Sequence, residues 1–219
     1  MIQLIIFDMD GLMIDSERIT MQAYLDVGRA WGLPVTEEQF IEILGKNSTD
    51  IKNQYRRDFG EGIEADRLFR EVGALRDERI RTRGVPVKKG LRNLLAVLTK
   101  KASDIPLAVA SGSDRELIGR HLESIGLAGH FRELLSSRDV SRGKPAPDVF
   151  LALCETFKAS PEETLVFEDS PNGIRAGLAG GFKVIAVPDL QPVPDELRQE
   201  CLAVVEDLDE AIAVLQELL

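Results

Sequence analysis

Gln3-Leu4-Ile5-Ile6-Phe7-Asp8-Met9-Asp10-Gly11 is the stretch that decides the fold. Leu4 to Phe7 is apolar and rich in β-formers, with no polar alternation. That pattern predicts a strand over 3–7 buried on both faces, as parallel sheets require. The run stops at two acids and a glycine, a turn-forming set. It is too short for a signal peptide or a membrane span and lacks a basic leader, so neither is expected.

Beyond Gly11 the grammar becomes helical from Ser16 to about Arg83. Ile19, Ala23, Val27, Ala30 and Trp31 recur at helical spacing, and Gly32-Leu33-Pro34 ends that helix. Thr36 with Gln39 reads as a capping box opening a second helix through Phe40, Ile41 and Leu44. Helices are also predicted over 51–59 and 65–80, with no strand signal anywhere between. After Gly84 and Pro86 strands and helices alternate. Strands are expected at 106–110, 134–135, 165–167 and 183–187. Helices are expected at 91–98, from a Ser113/Glu116 capping box to Ile125, at 149–157, at 172–178, and in a last amphipathic segment through Leu208, Ala211, Ile212, Leu215 and Leu218. Alternation of this kind predicts a doubly wound, Rossmann-like parallel sheet of the α/β class. The expected organisation is a core of residues 1–14 and 84–219, with an all-helical insert at 15–83.

Composition narrows the chemistry. At 44% hydrophobic and 29% charged over 219 residues, the chain is globular rather than disordered. The net charge of −10 argues against nucleic-acid binding. Two distant cysteines, Cys154 and Cys201, are the pattern of a reduced, cytoplasmic protein. Two histidines, His121 in a helical stretch and His130 in a loop, are too few for a His-centred triad or metal cluster. No Gly-x-Ser-x-Gly or Gly-x-Gly-x-x-Gly occurs, and Gly143-Lys144 lacks the rest of a phosphate loop. Asp8-x-Asp10-Gly11 is not a calcium loop, because Leu12 and Met13 stand where ligands and glycine are needed. No exposed heptad seam is visible, so a monomer is expected.

In open parallel sheets ligands bind at the carboxyl ends of the strands. Asp8, Asp10 and Gly11 follow the first expected strand. Ser111-Gly112-Ser113 follow the second, Ser137 to Lys144 the third, and Glu168-Asp169-Ser170 the fourth. Clustered carboxylates repel one another unless protonated or bridged by a cation. An oxygen-only donor set selects a hard ion, and Mg²⁺ suits a phosphate best. Ser111, backbone N–H groups and Lys144 could meet phosphate oxygens. An Asp carboxylate can attack phosphorus, and a second carboxyl two residues on can exchange the protons. Ser113 is read mainly as a helix cap.

Four segments together, Phe7-Asp8-Met9-Asp10-Gly11, Ala110-Ser111-Gly112-Ser113, Gly143-Lys144-Pro145-Ala146-Pro147-Asp148 and Phe167-Glu168-Asp169-Ser170-Pro171-Asn172-Gly173, resemble the ordered motifs of the haloacid dehalogenase superfamily. The likeness spans essentially the whole chain and is to the beta-phosphoglucomutase-like subgroup with a helical cap. It implies Asp8 as nucleophile, Asp10 as general acid and base, and Ser111, Gly112 and Lys144 as phosphate binders. It implies Mg²⁺ held by Asp8, by the Asp10 backbone carbonyl and by Asp169, with Glu168 direct or through water. It further implies that the insert is a mobile cap governing specificity. In it Leu44-Gly45-Lys46-Asn47 resembles the specificity loop, so Gly45, Lys46 and Asn47 are candidate substrate contacts. Asp10 weighs against dehalogenation, since true dehalogenases of the superfamily lack that second acid. Thr20 stands where sugar-phosphate mutases carry a cap histidine and weighs against phosphoryl transfer to a second hydroxyl.

The expected function is therefore a Mg²⁺-dependent phosphatase for a small phosphorylated metabolite, a sugar or nucleoside phosphate. A beta-phosphoglucomutase-like phosphomutase is the alternative. A phospho-acceptor signalling domain is disfavoured, because its acidic pair would come otherwise in the chain and no large insert would follow the first strand. Charge divides at the expected boundary. Residues 15–83 hold 12 basic and 14 acidic side chains, a net of −2, and the rest a net of −8.

Overall fold

The computed structural model describes residues 1–219. The chain divides into two compact units, one of Met1–Asp15 with Pro86–Leu219 and the other of Ser16–Val85. The larger unit is built on six strands: β1 (Leu4–Phe7), β2 (Leu107–Ser111), β3 (Glu133–Ser136), β4 (Thr164–Glu168), β5 (Lys183–Ala186) and β6 (Ala203–Val204). They form one sheet in the order β3-β2-β1-β4-β5-β6. Every pairing is parallel, as the doubly wound reading requires. The chain winds outward from β1 to β3, then returns to the other side of β1 with β4. The sheet thus switches direction between β1 and β4, where such folds open a crevice at the carboxyl ends of the strands.

β1, β2 and β4 are buried along their whole length. This matches their continuous apolar sequences, because helices cover both faces. On one face Leu4, Ile6, Ala108, Ala110 and Val166 pack with Val149, Phe150, Leu153 and Ile174. The last four come from α7 (Asp148–Phe157) and α8 (Pro171–Ala179). Burying each large aliphatic or aromatic side chain here contributes roughly 1.5–3 kcal/mol relative to exposure. α5 (Leu91–Lys101) packs on the last helix, α10 (Leu208–Leu218). Gly90 permits that approach, because a β-carbon there would strike the backbone of Leu208 and Asp209.

The smaller unit is all helical: α1 (Ser16–Ala30), α2 (Glu37–Ile43), α3 (Ser48–Phe59) and α4 (Ala65–Arg83). Thr36 and Gln39 make the expected capping box at α2. α1 buries Ala23 and Val27 of the expected stripe, but Met21, Tyr24 and Leu25 are buried beside them and Ala30 is exposed. Tyr24 stacks on Tyr55 with ring centroids 5.9 Å apart, which draws the stripe toward the aromatic core. Within this unit Thr20 donates its hydroxyl to the Ser16 carbonyl, 2.8 Å away. Gly45 takes a positive φ of 71° at the turn before α3. Lys46 reaches Gln54 at 3.4 Å. Asn47 is the N-cap of α3, accepting from the Asp50 backbone N–H at 3.0 Å.

The connections to the larger unit run side by side. Ile14 bridges Val87 in antiparallel fashion, Asp15 N–H donates to the Pro86 carbonyl (2.9 Å), and Lys88 N–H donates to the Met13 carbonyl (2.9 Å). α6 (Arg115–Ser124) departs from expectation at its start. Its N-cap is Asp114, not Ser113, and no side chain caps it. The Ser113 hydroxyl is engaged elsewhere. α9 (Asp195–Arg198) and the two-residue β6 were not expected, being too short to carry a period.

Candidate active site

The carboxyl ends of β1, β2 and β4, with the loop after β3, bring together Asp8, Asp10, Ser111, Lys144, Glu168 and Asp169. Asp8 continues β1, and its backbone N–H donates to the Phe167 carbonyl at 3.0 Å. The rings of Phe7 and Phe167 stack at 4.8 Å beneath it. Beyond Asp8 the chain turns sharply. Gly11 adopts φ 90°, and the N–H groups of Met13 and Ile14 both donate to the Met9 carbonyl. Such a turn needs glycine, since a β-carbon disfavours positive φ.

Lys144 is the centre of the charge arrangement. Its ammonium donates to Asp8 Oδ1 at 2.5 Å, to Glu168 Oε1 at 2.6 Å and to the Ala110 carbonyl at 2.9 Å. Three donors meet three acceptors. The ammonium also lies 5.0 Å from the centre of the Phe150 ring. Burial opposes its charge, but Asp8 and Glu168 outweigh that and hold the ammonium above the usual lysine range. Burial likewise pushes the Asp8 carboxyl up, Lys144 draws it down, and Glu168 and Asp10 push it up again, leaving it at about 7. The ammonium rises because two carboxylates face it, and the carboxyl rises mainly because it is buried. At Asp8 burial outweighs the nearby ammonium, so this carboxyl is held above its ordinary value.

Glu168 is completely buried. Its Oε2 accepts from the N–H groups of Asp169 and Ser170 and from the Ser170 hydroxyl, each at 3.1 Å. Four donors therefore hold this carboxylate. Ser170 also caps α8 by accepting from the Gly173 N–H at 3.0 Å. A β-carbon on Gly173 would fall inside the Glu168 carboxylate, so glycine is demanded there by packing. Asp169, also buried, follows directly.

Ser111 ends β2 and is fully buried. Its hydroxyl donates to Asp10 Oδ2 at 3.1 Å and accepts from the Ser113 N–H at 3.0 Å. Gly112 is exposed, with open space where a β-carbon would stand. The hydroxyl of Ser113 donates to the same Asp10 Oδ2, at 2.9 Å. This contact is absent from the sequence reading, which gave Ser113 to the helix. Two hydroxyl residues flanking one glycine at a strand end were the available signal. The Ser170 hydroxyl and Gly173 both pack on Glu168, contacts that their places in the sequence do not signal.

No group of three or more His, Cys, Asp or Glu side chains stands ready to cage a metal ion. The cluster is nonetheless four carboxylates against one ammonium, all oxygen donors. It fits an ion bound by one or two carboxylates that keeps several of its own waters, which is the habit of Mg²⁺.

The sequence profile of the haloacid dehalogenase-like hydrolases matches residues 5–187. The chain belongs to that family. The phosphorylated carbohydrates phosphatase of Thermotoga maritima is 28% identical over 229 residues, covering 98% of this chain and 99% of that protein. A probable pseudouridine-5'-phosphatase of Drosophila melanogaster is 30% identical over 190 residues, covering 84% and 80%. A solved Thermotoga maritima structure, described as a candidate beta-phosphoglucomutase, is 25% identical, covers all of both chains and superposes with a TM-score of 0.79. The four motifs and this likeness make the chain similar to the beta-phosphoglucomutase-like members of the family.

Proposed function

We propose that this hydrolase is a Mg²⁺-dependent phosphatase that cleaves a small phosphorylated metabolite, a sugar or nucleoside phosphate, through an aspartyl-phosphate. The observation that carries the proposal is the placing of Lys144. It bridges Asp8 and Glu168 at a strand-end crevice while Asp10 is held by hydroxyls two residues away.

Asp8, fixed by Lys144, attacks phosphorus. Asp10 gives its proton to the departing ester oxygen as the P–O bond breaks, and the alcohol leaves. Asp10, now a carboxylate, takes a proton from water as that water attacks the aspartyl-phosphate. Inorganic phosphate departs, and Asp8 and Asp10 return to their starting states. Ser111 and the Gly112 backbone N–H are donors for the phosphoryl oxygens, and the Lys144 ammonium offers its positive charge beside them. Asp8, Asp169 and the Asp10 carbonyl are the groups to hold Mg²⁺, with Glu168 direct or through water. The bound ion neutralises the carboxylates and screens the charge of the incoming phosphate.

The helical unit is assigned the choice of substrate, with Thr20, Gly45, Lys46 and Asn47 as its candidate contacts. Thr20 supplies no imidazole and turns its hydroxyl to its own helix, which supports water rather than a second sugar hydroxyl as acceptor. Both cysteines are free thiols, and no helix is long and apolar enough to cross a membrane. The reading is completed by a monomeric cytoplasmic enzyme whose partner is a small phosphorylated molecule. A panel of phosphate monoesters, assayed for phosphate release with Mg²⁺ and with EDTA, tests the proposal. Turnover of one or more esters, lost in EDTA, is expected. Primer-dependent isomerisation of a sugar phosphate without net phosphate release would overturn it.

A further inference from the structure

We infer that Ser113 is the positioning residue for Asp10, holding its carboxylate in place when Ser111 turns to the phosphoryl group. The inference rests on the proposed role of Asp10 as acid and base. Two hydroxyls converge on one oxygen, Asp10 Oδ2, from Ser111 at 3.1 Å and from Ser113 at 2.9 Å.

A serine hydroxyl has a single proton. The lone pairs of Ser111 already face the Ser113 N–H, so its proton points either to Asp10 or to a phosphoryl oxygen. It cannot serve both. If Ser111 were the sole tether, substrate binding would release the proton-transfer group at the moment of need. Ser113 removes that conflict. Its hydroxyl is not used by α6, whose N-cap is Asp114 with no side-chain cap bond. The backbone of Asp10 is already fixed by the turn through Gly11, which leaves the side-chain torsions as the freedom to be restricted. The second hydroxyl supplies that restriction. A misplacement of about 1 Å in a reacting group costs on the order of 10²-fold in rate.

The test uses the full chain with Mg²⁺ and p-nitrophenyl phosphate, comparing Ser113→Ala, Ser113→Cys and Ser113→Thr. Ala and Cys should lower kcat by about tenfold to a hundredfold with KM within about twofold, and Thr should recover most of the loss. Cys keeps the shape while weakening the donor, so its loss is not one of packing, and melting curves verify that each variant is folded. In an Asp10→Asn background, Ser113→Ala should leave the residual turnover unchanged, because Ser113 acts through Asp10. An unaltered kcat in Ser113→Ala overturns the inference. So does a rise in KM at constant kcat, or a full extra loss in the Asp10→Asn background. An Asp10→Asn enzyme as active as wild type would instead refute the role of Asp10 itself, a different failure from an inert Ser113.

Discussion

Gly173 and Glu168 share one volume: the carboxylate of Glu168 occupies the place where any side chain on residue 173 would begin. The glycine lies on α8 and the acid ends β4, so the helix start is shaped around a buried charge. That charge in turn holds Lys144 at 2.6 Å.

Gly173→Ala should therefore act at a distance. The new methyl must push Glu168 aside, loosening the ammonium that orients Asp8. We expect a loss of about 1–3 kcal/mol in stability, the usual range for overpacking, and a fall in kcat of at least about tenfold. Urea unfolding and steady-state kinetics measure the two. A variant that matches wild type in both would show that Glu168 can move without consequence.

Asp8→Asn should abolish turnover and yet stabilise the metal-free protein at alkaline pH. The sign follows from linkage: a carboxyl raised from 3.8 to about 7 in the folded state contributes stability below its unfolded value and loses it as pH rises through 7. Above pH 7 the folded protein carries a poorly compensated buried charge, which the amide removes. In EDTA the melting temperature of the variant should exceed that of wild type at pH 8 by several degrees, corresponding to about 1–3 kcal/mol, and the gain should shrink towards pH 5. Equal differences at the two pH values would contradict this.

Lys144→Ala should do the reverse. It leaves Asp8 and Glu168 buried together without their cation, and breaking a buried pair from one side costs about 3–5 kcal/mol. Because the carboxyls can take up protons in acid, the penalty should be larger at pH 8 than at pH 5.5. An undiminished kcat/KM in this variant would remove Lys144 from the site.

Mg²⁺ should raise the melting temperature of the wild type, and EDTA should silence turnover reversibly. In Asp169→Asn the thermal shift produced by saturating Mg²⁺ in the wild type should be reduced by more than half. The same shift in variant and wild type would exclude Asp169 as a ligand. Binding to the folded state alone stabilises by about 2.7 kcal/mol at a hundred times Kd, well within reach of a melting experiment.

The strands were legible because burial on both faces leaves an unbroken apolar signature, as in Leu4 to Phe7 and Leu165 to Phe167. The site acids were legible because they follow those runs directly. β6 was not, since Ala203–Val204 has no room for a pattern. Ser113 was misread for a different reason. A serine three residues before Glu116 satisfies the rule for a capping box, and one sequence does not say whether its hydroxyl prefers the helix or Asp10. The collision that demands Gly173 is equally silent, because it depends on a β4 side chain reaching α8. Thr36 obeyed the same capping rule and kept to it, having no buried carboxylate nearby to compete for its hydroxyl.

β1 lies inside the sheet, between β2 and β4. Its neighbours arrive only with residues 107–111 and 164–168. Asp8 therefore takes its backbone anchor from Phe167 and its ammonium from Lys144, both from segments remote in sequence. Pairings between segments so far apart in sequence form late in folding. The acidic cluster is thus a product of the whole sheet, present only once strands remote in sequence have paired.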